Sequence, residues 1–172
     1  LLRAAAPLCL RLLFFVYPIV NTVAFEAFSW YDLGGAGSYL RADVSIRRGS
    51  AEEIRARHIA IVAICMYPLG MLLFFGALLM SARHAILRGQ PSSLSNVIAF
   101  LHDEYKPIYF WWELMEMLRR FLLVGVFLVV PAQGTVEQLA YATCVSIIYL
   151  ALQVAASPFR KTSDGLLAVA CS

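Results

Sequence analysis

The chain has 172 residues, of which 61% are hydrophobic and only 15% are charged. An average soluble domain is about 45–50% apolar and about 25% charged, so this chain has too few polar residues to cover the surface of such a domain. The formal net charge of +3 is small and the basic residues are dispersed, so we expect no nucleic-acid partner. The sequence starts without methionine and ends in an apolar stretch, so we expect residues 1–172 to be the membrane region of a longer protein.

Four apolar segments approach the roughly 20 residues that a helix needs to cross a bilayer. The second segment has no charge and contains Pro68, which predicts a kink in its middle. The expected fold is therefore all-α, a multi-pass transmembrane helical bundle with about four spans. We place these spans at about residues 4–28, 59–80, 108–130 and 138–156. In the first span, Asn21 and Thr22 are expected to make hydrogen bonds to other helices.

The connection between the first two spans contains two local signals. Apolar and polar residues alternate from Leu40 to Ile46, and this period of two predicts a short extended segment. Ser50 and Glu53 have the spacing of a capping box. We therefore expect a helix to begin after Ser50 and to continue into the second span.

The next connection carries apolar residues at positions 94, 97, 98 and 101, after Ser92 and Ser93. This spacing predicts a short amphipathic helix, which either lies on the membrane surface or packs under the bundle. The short link at residues 131–137 makes the third and fourth spans antiparallel neighbours. Four spans place residues 29–58 and 131–137 on one side and residues 81–107 and 158–164 on the other. Basic residues are in slight excess on the second side, which favours a cytoplasmic location for residues 81–107.

The third span begins with aromatic residues and then carries four charges. The aromatic side chains suit the membrane–water interface; they are Tyr109, Phe110, Trp111 and Trp112. The charged residues form a candidate intramembrane ion-pair cluster, which consists of Glu113, Glu116, Arg119 and Arg120. A straight helix places Arg120 about 18 Å beyond Ile108, near the bilayer centre. The charges must then pair with each other, face the bundle interior, or stay in the interface because the helix bends.

Two interpretations of this charged cluster remain open. The functional interpretation is an ion pathway or a gating element. The structural interpretation is an ion-pair cluster that stabilises the bundle, or an interfacial helix before a short span. The fourth span has a polar face formed by Ser146, Tyr149 and Gln153, which either contacts other helices or lines a pore.

No group of residues has the spacing of a catalytic, cofactor-binding or metal-binding motif. The three histidines are far apart, and the four cysteines show no metal-ligand spacing. We therefore expect no enzymatic activity, no cofactor and no bound metal.

Several blocks of the sequence resemble a known family. The chain is similar to the C-terminal multi-pass region of large protist and algal cell-surface proteins, a region that resembles transient-receptor-potential (polycystin-related) channels. The blocks that carry the resemblance are Phe15-Val16-Tyr17-Pro18, Tyr67-Pro68-Leu69-Gly70, Phe110-Trp111-Trp112-Glu113 and Glu116-Met117-Leu118-Arg119-Arg120.

The resemblance implies the transmembrane region of a cation-channel-like protein. We expect this region to lie in the plasma membrane, with the lipid bilayer and further copies of the chain as its partners. The alternative is a non-conducting membrane anchor or a signal-relaying bundle of a large cell-surface protein. The resembling proteins usually carry cysteines where this chain has Trp30 and Arg48. The resemblance therefore implies that one disulfide of an extracellular or lumenal loop is missing here.

Overall fold

The computed structural model of the chain describes residues 2–34, 37–90, 92–129 and 136–161. These residues are mostly helical, as the composition predicts. The helices are α1 (Leu2–Glu26), α2 (Ala51–Ile64), α3 (Gly70–Arg88), α4 (Ser93–Val97), α5 (Trp112–Val129) and α6 (Val136–Ala156). Two short strands, β1 (Trp30–Asp32) and β2 (Ser38–Leu40), pair antiparallel, with Trp30 opposite Leu40 and Asp32 opposite Ser38.

Within the described ranges, three helical segments are long and apolar enough to cross a membrane, namely Ala6–Glu26, Ala51–Arg88 and Val136–Ala156. They correspond to the first, second and fourth predicted spans. Helix α5 lies in the third predicted span but is not among them, because four of its 18 residues are charged. The prediction of a membrane helical protein is therefore confirmed, whereas the count of four spans is not.

The exposed side chains of α1 suggest a membrane environment. These side chains form an apolar stripe, in which Phe15 is 71% exposed, while Asn21 on another side of the helix is fully buried. A water-soluble protein distributes these residues in the opposite way. Together with the length of the helices, this distribution suggests an integral membrane protein. The stripe consists of Leu8, Leu12, Phe15, Ile19 and Val23.

The second predicted span is part of a helix that runs without a break from Ala51 to Arg88. The Ser50 side chain accepts a hydrogen bond from the Glu53 N–H at 3.2 Å, which confirms the predicted helix start. The Glu53 carboxylate accepts from the Gly49 N–H at 2.5 Å, one residue before the position that a capping box predicts.

At Pro68, where the sequence predicts a kink, the helix contains a π-helical turn over Cys65–Leu69. Proline has no N–H to donate and its ring crowds the preceding turn, so the helix widens there. The Gly70 N–H reaches back five residues to the Cys65 carbonyl, and α3 continues from this point.

The extended segment predicted for Leu40–Ile46 is wrong beyond Leu40. The Asp43 carboxylate accepts hydrogen bonds from the Ser45 N–H at 2.9 Å and from the Ser45 hydroxyl at 2.7 Å. Both hydrogen bonds hold the pKa of the Asp43 carboxyl below its usual value, and the bond from the Ser45 hydroxyl has the larger effect. The chain therefore turns, and the Leu40 N–H donates to the Ile46 carbonyl at 3.0 Å. Local side-chain bonding by aspartate has overridden the alternating pattern.

The predicted amphipathic helix is only five residues long, from Ser93 to Val97, and a 3₁₀ turn follows it at Ala99–Leu101. Ser92 caps it through reciprocal hydrogen bonds with Ser95. Ile98 and Leu101 are fully buried in the protein. This burial favours packing against the protein over a helix that presents its apolar face to lipid.

The described residues group into two compact units. In the unit that contains Leu72–Arg119, the rings of Phe14, Phe75 and Phe100 pack together with centroid separations of 5.8 to 6.3 Å. In the unit that contains Tyr17–Met71, Phe25 packs against Phe121 at 5.5 Å. The predicted link at residues 131–137 lies mostly outside the described residues, and the assignment of the loops to two sides stays a prediction.

Candidate functional site

Glu116 and Arg119 form an ion pair one turn apart on α5. The Arg119 Nη2 lies 3.0 Å from the Glu116 Oε2 and the Arg119 Nε lies 3.3 Å from the same oxygen. The two side chains are only 13% and 19% exposed. Of the two arginines in the predicted cluster, Arg119 is thus the one that pairs with Glu116. The pair is largely buried within the protein.

Tyr149 of α6 contacts both members of this ion pair. Its hydroxyl donates a hydrogen bond to the Glu116 Oε1, and its ring lies 4.5 Å from the centre of the Arg119 guanidinium. The Tyr149 hydroxyl therefore donates a hydrogen bond to the carboxylate, and the electron-rich face of its ring attracts the guanidinium. Trp112 packs on the same tyrosine, with a ring separation of 6.3 Å. We call Glu116, Arg119 and Tyr149 the charged triad.

The second carboxylate of the predicted cluster, that of Glu113, has a different partner. The Tyr105 hydroxyl donates to the Glu113 Oε2 at 2.7 Å. Burial, and then the negative charge of Glu113, raise the pKa of Tyr105 above its usual value. The hydroxyl therefore keeps its proton at neutral pH and remains a donor to Glu113.

Tyr105 also belongs to a short pairing between two distant parts of the chain. The Lys106 N–H donates to the Pro158 carbonyl at 2.8 Å, and the Arg160 N–H donates to the Glu104 carbonyl at 3.0 Å. Two side chains add bonds of 2.6 Å, from the Lys106 Nζ to the Ser157 carbonyl and from the Arg160 Nε to the Tyr105 carbonyl. We call this pairing of residues 104–106 with 157–160 the strap. Sequence reasoning missed it, because no local pattern indicates which short segments pair across the chain.

Arg120 is the fourth charged residue of the predicted cluster. Its charge lies within electrostatic range of the Tyr17 hydroxyl of α1. The structure therefore separates the cluster into the Glu116–Arg119 pair, the Glu113–Tyr105 bond and the Arg120–Tyr17 interaction.

The four aromatic residues predicted to lie at the interface do not share one environment. Phe110 and Trp112 are buried within the protein, Tyr109 is half-buried, and Trp111 is exposed. A 3₁₀ turn at Pro107–Tyr109 precedes α5, so successive side chains point in different directions. Tyr109 and Trp111 are the two whose rings are accessible to a headgroup region.

The polar face predicted on α6 is turned inward. Tyr149 and Gln153 are buried and Ser146 is half-buried, and Gln138 and Ala142 extend the buried side of the helix. The outward side carries Leu139, Ile147 and Ile148, all more than half exposed. This arrangement is the one that a helix with lipid on one side and protein on the other requires.

Asn21 differs from the other buried polar residues. It is fully buried, and neither its amide nitrogen nor its amide oxygen has a hydrogen-bond partner among the described residues. Thr22 donates within its own helix, to the Pro18 carbonyl at 3.1 Å, so the described residues show none of the interhelical bonds expected for Asn21 and Thr22. A buried amide without a partner costs roughly 1–3 kcal/mol, so Asn21 lowers the stability of this part of the protein.

Comparison with known proteins gives no relatives for this arrangement: no protein-family model, curated protein or solved structure matches the chain.

Proposed function

We propose that this chain is the transmembrane region of a cation-channel-like protein, similar to transient-receptor-potential channels, in the plasma membrane. In this proposal α5 crosses the bilayer as a fourth span, residues 81–107 lie on the cytoplasmic side, copies of the chain associate, and the chain has no enzymatic activity. The observation that carries the proposal is the charged triad, which is shielded by the protein while the outer surfaces of α1 and α6 are apolar.

Charged residues are rare in bilayer-spanning helices, because each costs at least about 2.5–3.5 kcal/mol near the membrane centre. Those that occur usually face the bundle interior and take part in ion movement or gating. Arg119 and Arg120 lie in the middle of the 18-residue helix α5, and Glu116 lies in its second turn. A purely structural helix would more readily carry leucine there.

The buried amide of Asn21 supports the same proposal. It lies one turn after Tyr17, whose hydroxyl is within range of the Arg120 charge. A polar group without a protein partner has a reason to be present if water or an ion reaches it during function.

Trp30 and Arg48 stand at the two positions where the resembling proteins usually carry cysteines. The Arg48 guanidinium lies 5.8 Å from the centre of the Trp30 ring, so the two side chains make a cation–π contact. Their backbones lie on opposite sides of β2, because Tyr39 pairs with Tyr31 on one side and with Arg47 on the other. The contact therefore does not reproduce the geometry of a disulfide and adds no support to the resemblance.

The second candidate function is a non-conducting anchor or signal-relaying bundle, and one observation favours it. Both carboxylates near the start of α5 have polar partners, Glu113 through Tyr105 and Glu116 through Arg119 and Tyr149. Such full pairing is what a cluster with a purely structural role would show.

Ion flux through liposomes that contain the purified full-length protein tests the proposal. We expect cation flux above that of protein-free liposomes, and we expect Tyr149→Phe to change its rate because the variant removes the donor to Glu116. Tyr141→Phe is the control, since Tyr141 lies on the same helix but is 58% exposed. Flux equal to that of empty liposomes across a range of voltages and cations would leave the anchor as the function.

A further inference from the structure

The strap holds two cationic side chains at the end of α6. Ser157, with φ of +43°, ends this helix in the left-handed conformation, and its N–H returns to the Gln153 carbonyl at 2.9 Å. The Lys106 ammonium donates to the Ser157 carbonyl and the Arg160 guanidinium donates to the Tyr105 carbonyl, both at 2.6 Å. The pairing of the two segments therefore fixes where both charges lie.

Most hydrogen-bond donors of these two side chains remain available. An ammonium has three N–H groups and a guanidinium has five, whereas the strap uses one from each. Both side chains are exposed, and so is the neighbouring Lys161. None of the three has a carboxylate partner among the described residues. The strap therefore presents free N–H donors on positively charged groups at the surface of the protein.

Positive charges outnumber negative ones around the strap. The end of α3 belongs to this region, since Arg160 lines a pocket together with Gly89. Residues 81–106 and 157–161 carry two carboxylates, those of Asp103 and Glu104. The same segments carry five lysine and arginine side chains, all exposed, which are Arg83, Arg88, Lys106, Arg160 and Lys161. Residues 26–58 differ, because five carboxylates balance the five arginines there, and three of these arginines lie over aromatic rings.

Exposed apolar side chains border the strap on both of the chain segments that it joins. Ile108, two residues after Lys106, is 68% exposed, and Trp111 in the following turn is exposed as well. Val154, three residues before Ser157, is 57% exposed on the last turn of α6. A cationic surface next to exposed apolar side chains matches the boundary between the headgroups and the hydrocarbon of a bilayer.

We propose that the strap binds the phosphate of an anionic phospholipid, with Lys106, Arg160 and Lys161 at the headgroup and with the acyl chains along Ile108 and Val154. The planar guanidinium suits two phosphate oxygens, and each ammonium supplies further donors. A lipid also covers the apolar side chains beside the strap, whereas free phosphate contacts only the cations. The inference rests on the membrane placement of α6 but not on ion conduction.

The test is a titration of the full-length protein in detergent with single lipids, followed by native mass spectrometry and thermal unfolding. We expect phosphatidylglycerol to bind at least about tenfold more tightly than phosphatidylcholine, whose choline group cancels the charge of the same phosphate. We expect inorganic phosphate at equal concentration not to raise the unfolding temperature, because it leaves the apolar side chains uncovered. Equal binding of the two lipids, or equal stabilisation by phosphatidylglycerol and inorganic phosphate, would overturn the proposal.

Two variants of the strap and a matched control complete the experiment. Lys161→Gln should weaken phosphatidylglycerol binding about fivefold, and Lys106→Gln combined with it about twentyfold, leaving phosphatidylcholine binding unchanged. Lys161 makes no hydrogen bond or ion pair within the described residues, so its single variant keeps the test valid if the double variant fails to fold. Arg55→Gln with Arg57→Gln is the control, since both arginines are exposed but lie near the start of α2. Unchanged lipid preference in Lys161→Gln, or an equal loss in the control, would contradict the proposal.

Discussion

The ring of Phe25 lies so close to Gly125 that a Cβ built on the glycine would be 3.1 Å from the Phe25 Cζ. This contact joins α1 to α5 through the smallest residue that a helix can offer. Small residues let membrane helices approach closely, because packing rather than water exclusion drives their association.

Gly125→Ala should therefore be less stable than Gly76→Ala by about 1–3 kcal/mol, the usual cost of overpacking, because both variants gain the same helix propensity. Gly76→Ala is the matched control, because a Cβ there would meet the Leu114 Cδ1 at an ordinary 3.6 Å. Thermal unfolding in detergent measures both variants. Equal stability of the two would show that Phe25 moves aside without cost.

Glu116→Gln should destabilise the protein strongly, because it leaves the Arg119 charge without its carboxylate. Removing one partner of a buried ion pair typically costs about 3–5 kcal/mol. Glu113→Gln is the comparison, since a glutamine oxygen still accepts the Tyr105 hydroxyl. Chemical unfolding in mixed micelles gives the two free energies, and a loss for Glu116→Gln no larger than that for Glu113→Gln would place the pair in a well-hydrated environment.

Tyr105→Phe should cost about 1.5–3 kcal/mol at neutral pH, the usual contribution of a hydrogen bond to a charged group. The pKa of Tyr105 is raised in the folded protein, so the protonated phenol favours the folded state. The stability difference between wild type and Tyr105→Phe should then stay constant up to about pH 10, the ordinary tyrosine value, and shrink above it.

Tyr109→Phe is the control for this pH series, because Tyr109 is half-buried and precedes the same helix. The free energy of unfolding, measured from pH 7 to the highest pH at which the protein stays folded, distinguishes Tyr105→Phe from Tyr109→Phe. A difference between wild type and Tyr105→Phe that grows with pH would contradict the assignment of the phenol as the donor.

The double variant Trp30→Cys, Arg48→Cys should form no disulfide once the four native cysteines are replaced, because β2 lies between the two positions. Tyr39 of β2 pairs with Tyr31 on one side and with Arg47 on the other. Two strand spacings separate the backbones of Trp30 and Arg48 by about 10 Å, whereas a disulfide needs Cα atoms within about 7 Å. Trp30→Cys with Leu40→Cys is the positive control, since these residues are direct cross-strand partners. Non-reducing electrophoresis reports the bonds, and equal oxidation of the two pairs would contradict this strand order.

Labelling of single cysteines in membranes tests whether α5 crosses the bilayer. Val44→Cys and Ser93→Cys lie before and after the α2–α3 helix, so we expect them to react from opposite sides. Val136→Cys, at the start of α6 and 83% exposed, should react from the side of Val44→Cys if α5 is a span. Reaction from the side of Ser93→Cys would instead place α5 in the interface and reduce the number of spans to three.

Features that depend on neighbouring residues could be predicted from the sequence. The cap at Ser50 and the irregular turn around Pro68 follow from the chemistry of single turns. The structure has the cap where it was expected and a π-helical turn at the position of the predicted kink. The alternation of apolar and polar residues after Leu40 led to a wrong prediction, because the hydrogen bonds between Asp43 and Ser45 make the chain turn there. The hydrophobic pattern carries no information about such bonds.

Features that join distant residues could not be predicted. Glu116 and Tyr149 are 33 residues apart, and Lys106 and Ser157 are 51 residues apart. The sequence indicated that the charges of α5 needed partners, since unpaired charges are costly in a bilayer. It did not indicate that a tyrosine of α6 would contact both members of the pair, because that depends on how two helices pack.

The strap has a mechanical consequence. A force applied to the chain beyond Lys161 acts first on Arg160, whose backbone and side chain hold Glu104 and Tyr105. Tyr105 in turn holds Glu113, in the first turn of α5. Tension applied after the C-terminal end of α6 is therefore transmitted through the strap to the N-terminal end of α5, so two helices bear the load.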